Sequence, residues 1–254
     1  MAQNYRMIIE YDGSRYSGWA RQPGVEWTIQ GKLESVLGRM CSDTDDGLQT
    51  SVEVIGAGRT DAGVHARGMV ANVRLDTEMD CDKIRDYLNR YLPDDICVKQ
   101  FSEAGDRFHA RYNAIGKTYR YTCYLGETKP VFDRKYVYCL DEVPDIEQMK
   151  RAAEYLIGEH DFASFCHNPR NKKSTVREVD RIEIKRQGDY LTLTYHGTGF
   201  LQYMVRILTG TLLEVGMGKR TAESMAELLE AKKRDLAGFT APACGLCLME
   251  VDYH

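Results

Sequence analysis

The 254-residue chain is 43% hydrophobic and 28% charged, with a formal net charge of −4. That apolar content supplies a core for one large domain or two smaller ones and excludes an intrinsically disordered chain, while the slightly acidic balance excludes a surface coated in positive potential. A membrane helix is excluded as well: the best candidate, "FLQYMVRILTGTLLEVG", carries Gln202 and Arg206 and falls short of the roughly 18 uninterrupted apolar residues needed.

The N-terminal "NYRMIIEYD" alternates Tyr5, Met7, Ile9 and Tyr11 with more polar residues, which predicts a strand. No secretory apolar stretch precedes it, so a soluble cytoplasmic protein is expected. After the Gly/Pro-rich "GSRYSGWARQPG", Thr28 is placed to cap a helix whose apolar positions Ile29, Leu33, Val36, Leu37 and Met40 share one face. "SVEVIG" and "MVANVRL" predict two strands flanking the loop "AGRTDAGVHARG". Asp80 or Asp82 opens a second helix through Ile84, Tyr87, Leu88 and Tyr91 that stops near Pro93, and "ICVKQF" is a further strand. The resulting order, βαββαβ, is the split unit of ferredoxin-like folds.

The second half repeats the theme loosely. "KTYRYTCYL" and "KYVYCL" predict strands, and Asp145 starts a helix through Met149, Ala152, Ala153 and Leu156. "VREVDRIEIKRQGDYLTLTYHG" predicts a hairpin about Gly188 and Asp189. Helical patterns over 199–215 and 221–232 precede a last strand in "LCLMEVDY". The expectation is an α+β protein of two halves, 1–105 and 106–254, with mixed or antiparallel sheets flanking a central cleft that suits a ligand.

Charge is unevenly spread. Between Asp106 and Lys135 seven bases stand against three acids, and the same counts hold between His167 and Arg186, where Arg170, Lys172 and Lys173 cluster. Acids gather instead at Asp43 to Asp46 and at Asp141 to Glu147. A bipolar chain with a basic face for a phosphate backbone is one reading, and ordinary solvated strand faces are the other. The eight cysteines are scattered in a chain too large to depend on disulfides. Cys244 and Cys247 form one CxxC, but a structural zinc site needs four ligands and no second pair completes it, so no metal is expected.

The loop between the second and third strands holds the residues most suited to chemistry. Arg59, Asp61, His65 and Arg67 lie within nine positions, among Gly56, Gly58 and Gly63, whose backbone freedom allows a tight turn and the close approach of another molecule. An ordinary turn has the same composition. A dinucleotide fingerprint would require glycine where Asp61 stands, and a carboxylate there would repel a pyrophosphate. A phosphate loop at Gly116, Lys117 and Thr118 fails because its upstream glycine is Arg111. Asp61 and His65 would share a face if helical and so suit a metal, yet Gly63 between them argues against a helix and no third ligand stands out.

Six segments together, "YDGSRYSGW", "GAGRTDAGVHA", "GKTYRY", "HDFASF", "FLQYMVRILTGTLLEVG" and "LAGFTAPACGLCLMEVDY", closely resemble the TruA family of tRNA pseudouridine synthases in order and distance, from Tyr5 to Tyr253. Ala20 stands where that family usually has glutamine, and Gln202 and Tyr203 fill a pair that varies among its members. The resemblance implies a cofactor-free isomerase with the pseudouridine synthase fold, two ferredoxin-like halves around a cleft. It implies action as a homodimer on uridines at positions 38 to 40 in the anticodon arm of tRNA.

By the same resemblance Asp61 is the catalytic carboxylate. Arg206 is the cation that keeps it ionised in a pocket excluding water, and Tyr119 stacks on the uracil and helps remove the C5 proton. Leu246 adds apolar wall. The uridine must leave the base stack to reach Asp61, with Arg59 filling the space left behind or holding its phosphate, and His65 and Arg67 contacting the backbone. The residues alone read more plainly. Arg206 falls opposite the apolar side of its helix with Gln202, Thr209 and Gly210, as a solvated residue would, and both Tyr119 and Tyr121 suit core positions on one strand face. A tRNA-binding or folding module without essential catalysis is the alternative that the basic segments suggest, and metal-dependent hydrolysis is a third.

Overall fold

The computed structural model describes residues 2–42, 50–168 and 174–254. The acids Asp43 to Asp46 and the bases Arg170, Lys172 and Lys173 lie outside the described residues. The protein is α+β and forms two compact units, Met1–Ile115 with Leu248–His254, and Gly116–Cys247.

The first unit contains β1 (Gln3–Tyr11), α1 (Ile29–Cys41), β2 (Val54–Gly56), β3 (His65–Leu75), α2 (Cys81–Tyr91) and β4 (Ile96–Glu103), the order βαββαβ expected. Strand β1 is central, antiparallel to β3 through Met7 opposite Ala71 and to β4 through Met7 opposite Phe101. Alternation does the work here: Tyr5, Met7, Ile9 and Tyr11 are all buried. The apolar stripe of α1, with Ile29, Leu33 and Leu37, is fully buried, each such side chain stabilising by roughly 1.5–3 kcal/mol relative to exposure. Thr28 caps α1, its hydroxyl accepting the Gly31 N–H at 3.2 Å. Of the two candidate caps for α2, Asp80 is the one used, accepting the Lys83 N–H at 2.9 Å. The helix stops at Tyr91 because Leu92 precedes Pro93 and takes an extended conformation.

The second unit runs β5 (Gly116–Tyr124), β6 (Tyr138–Cys139), α3 (Ile146–Glu154), β7 (Gly158–Asp161), β8 (Val176–Gln187), β9 (Tyr190–Gly197), α4 (Met204–Gly216) and α5 (Ser224–Ala231). Its sheet has the order β5-β9-β8-β7, with β6 parallel to β5 and the other pairs antiparallel. The β8–β9 hairpin turns where expected, with Gly188 at φ +59°. Two departures are informative. "KYVYCL" keeps only two strand residues, and β7, "GEHD", was not expected because it has no apolar alternation; β8 recruits it as an edge.

Helix α4 begins at Met204 rather than 199, because Tyr203 sits in the left-handed region at φ +62°. Nearly all of it is buried, and its polar residues are satisfied internally. The Thr209 hydroxyl lies 2.8 Å from both Val205 O and Tyr195 Oη, and Thr211 Oγ1 donates to Ile207 O and accepts the Gly238 N–H. The run that looked most membrane-like is thus a core helix, and no helix among the described residues is long and apolar enough to cross a membrane. Strand β10 (Leu246–Asp252) closes the chain.

Thr28→Ala removes the α1 cap and leaves the Gly31 N–H without its acceptor. A loss of about 1 kcal/mol is expected, read as a lower urea midpoint at unchanged slope.

Candidate active site

Asp61 stands in the connection between β2 and β3. The ladder that pairs Gly56 with Ala71 is extended by the Ala57 N–H to Val70 O bond, and the chain then leaves the sheet until His65. What holds this loop is another loop, the segment after β1. Trp19 N–H donates to Thr60 O at 3.1 Å and Gly63 N–H donates to Tyr16 O at 3.2 Å, so the residues on both sides of Asp61 are bonded to one neighbouring segment. The Val64 N–H closes the turn onto Asp61 O, with Gly63 at φ +78°. Tyr11 and Thr60 share a buried hydroxyl–hydroxyl bond of 2.8 Å.

The fit between the two segments is close enough to require glycine. A Cβ on Gly18, whose φ is +96°, would lie 2.6 Å from Thr60 O, and one on Gly13 would lie 2.0 Å from Val64 O. The second segment is anchored in turn. Tyr16 donates to Asp95 Oδ1 at 2.5 Å while Arg15 pairs with the same carboxylate, and burial followed by the Asp95 bond pushes the Tyr16 phenol well above its ordinary range, so it remains a donor.

The four residues singled out in this loop separate by exposure. Asp61 is half-buried, whereas Arg59 and Arg67 are exposed. His65 is 5% exposed; its Nδ1 accepts the Gly13 N–H at 3.0 Å and lies 3.2 Å from Asp12 Oδ1. Its ring is therefore engaged in the lock between the two segments, and the Gly13 bond requires a lone pair on Nδ1. Asp61 and His65 do not share a helix face, as Gly63 indicated.

The second unit carries the other residues. Tyr119 on β5 is 8% exposed, opposite Tyr195, with its ring edge-on to Phe200 at 5.3 Å. Tyr121 is fully buried, and its hydroxyl donates to Pro242 O at 2.8 Å, the core role expected of it. Gly245 makes room for that ring, since a Cβ there would lie 2.6 Å from it. Arg206 occupies the first turn of α4. It is half-buried rather than solvated: its Nε donates to Ala241 O at 2.7 Å and its guanidinium lies 5.0 Å from the Tyr203 ring centre. Leu246 is buried at the start of β10. Burial raises the Cys244 thiol, whose Sγ donates to Val137 O at 3.4 Å, so this half of the CxxC is a packing residue. Among the described residues no three His, Cys, Asp or Glu side chains are grouped so as to hold a metal ion.

The sequence marked Tyr203 only as part of a pair that varies among family members and gave His167 no role. The Tyr203 ring has Arg206 on one contact and His167 on another at 4.9 Å, and its left-handed backbone costs of order 1–3 kcal/mol. No local signal marks a tyrosine for that conformation, which glycine or asparagine would normally supply.

A family model described as tRNA pseudouridine synthase matches residues 7–113 and 152–254. Curated relatives match nearly end to end. The chain is 43% identical over 250 residues to tRNA pseudouridine synthase A 2 of Bacillus anthracis, covering 98% of this chain and 99% of that protein. It is 43% identical over 251 residues to tRNA pseudouridine synthase A 1 of Clostridium tetani, covering 99% and 100%. It is 41% identical over 251 residues to tRNA pseudouridine synthase A of Acetivibrio thermocellus, with the same coverage.

Gly18→Ala adds both a strained φ and a collision with Thr60 O, whereas Gly24→Ala adds strain at φ +73° with open space around it. Denaturation of the two variants is expected to show a loss of about 1 kcal/mol or more for Gly24→Ala and a clearly larger one for Gly18→Ala.

Proposed function

The chain belongs to the tRNA pseudouridine synthase family, and we propose that it isomerises uridine to pseudouridine in the anticodon arm of tRNA, at positions 38 to 40, as a cytoplasmic homodimer. The observation that carries the reading is the lock around Asp61. A reaction that breaks the N1–C1′ bond, turns the base and joins C5 to C1′ needs a carboxylate fixed in place. Asp61 is bracketed by backbone bonds at Thr60 and Gly63 to a single anchored segment.

The chemistry is balanced within the nucleoside: C5 loses a proton after re-attachment and N1 gains one. In this reading Asp61 serves as nucleophile at C1′ or as base on the sugar, and either role needs it ionised. Arg206 supplies the opposing charge. Its bond to Ala241 and its place 5.0 Å from the Tyr203 ring centre support that role, because both hold the guanidinium. Tyr119 stacks on the uracil and assists removal of the C5 proton, and Leu246 lines the site. Extrusion of the target from the stack leaves a gap that Arg59 fills, while Arg67, also exposed, contacts the RNA backbone. His65 positions the loop from within.

Asp61→Asn keeps the size of the side chain and removes its charge. Pseudouridine formation on unmodified tRNA, measured by tritium release from 5-tritiated uridine, is expected to fall by at least about 10³-fold with folding unaffected. Full activity in this variant overturns the assignment. Unchanged tRNA-dependent effects without any product, in wild type and variant alike, would instead support a binding or folding module. Activity is expected to survive dialysis of the protein against EDTA before assay, and a chelator-sensitive release of cleaved product in place of pseudouridine would favour metal-dependent hydrolysis.

A further inference from the structure

The segment Gly105–Asn113 is held from beneath by side chains that packing alone does not require. Asn4 is fully buried on β1, and its amide donates to Gly105 O and Phe108 O at 2.9 Å each. Asn72, buried on β3, donates to Asn4 Oδ1 and accepts the Ala110 N–H at 2.8 Å. Tyr253 donates to Ala110 O at 2.6 Å. Both amides are buried with hydrogen-bond partners inside the protein, so together they fix the backbone of this surface segment.

What the segment presents outward is cationic and aromatic. His109 Nδ1 lies 3.2 Å from both the Arg111 and Tyr112 backbone nitrogens, which donate to it and close a turn. The rings of His109 and Tyr112 are stacked at 4.1 Å with 29° between their planes, yet Tyr112 remains 78% exposed. Arg107 and Arg111 are exposed alongside, and Arg74 joins them by donating to Asp106 O at 2.7 Å. Among the described residues no carboxylate pairs with these three guanidinium groups, and the segment's own acid is Asp106.

We propose that Arg107, Arg111 and Tyr112 form a preorganised platform for the substrate RNA, the arginines on phosphates and the His109-backed tyrosine ring on an unstacked base. This extends the proposed function and rests on tRNA being the substrate. Two features favour RNA over a second copy of the chain. A symmetric contact at this face would set two arginine clusters against each other, whereas a phosphate backbone complements them. A flat exposed ring with one side already stacked adds a nucleobase at little ordering cost.

The test is binding of an unmodified tRNA transcript to the full-length protein, measured against salt and without turnover. Tyr112→Ala is expected to weaken binding about tenfold while Tyr112→Phe keeps it, since the ring and not the hydroxyl is used. The double substitution Arg107→Ala with Arg111→Ala is expected to reduce the salt slope by about 1.4 to 1.8. In turnover assays KM rises with kcat unchanged. Wild-type affinity and slope in both variants overturn the proposal, as does a changed sedimentation coefficient with unchanged tRNA affinity, which would make the face a contact between copies. Wild-type protein that binds tRNA without forming pseudouridine removes the proposed activity and leaves the platform standing, and wild-type protein that binds no tRNA overturns both.

Discussion

The position of Asp61 depends on two loops holding each other by their backbones. The Trp19 to Thr60 and Gly63 to Tyr16 bonds leave little room to move, and Gly13 and Gly18 are glycines because carbonyl oxygens stand where a Cβ would be. Backbone bonds suit this purpose better than side-chain ones, since they lose no rotamer freedom when formed. The lock is then tied to the scaffold twice, through Tyr16 and Arg15 to Asp95 and through the buried His65 ring to Gly13. The buried His65 ring joins the two loops through its bond from the Gly13 N–H.

Rigidity is arranged differently in the second unit. Helix α4 is buried on nearly every side and its threonines are satisfied by its own carbonyls and by Tyr195, so its first turn is a fixed mount for Arg206. The chain enters that helix through Tyr203 in a conformation unfavourable for a tyrosine. The contacts of its ring with Arg206 and His167 oppose that strain. Precision at a charged group is obtained here by strain held in check, and at Asp61 by close backbone fit.

Local physics was legible in the residues. Caps at Thr28 and Asp145, the alternation of β1, the stripe of α1 and the turn at Gly188 each depend on interactions spanning a few positions, so composition and spacing determined them, while the cap of α2 was left between Asp80 and Asp82. The loop around Asp61 was legible only as a place where a molecule could approach closely, which an ordinary turn shares, and the resemblance supplied both the family and the role proposed for Asp61. Tertiary structure alone decided the rest. Strand β7 exists because β8 offers an edge, Arg206 is half-buried because Ala241 and Tyr203 reach it, and residues 248–254 return to the first unit. The Asn4–Asn72 brace joins residues far apart in the chain. Contacts of that separation carry no periodic signal, since the energy that fixes them is shared between segments whose spacing the sequence leaves open.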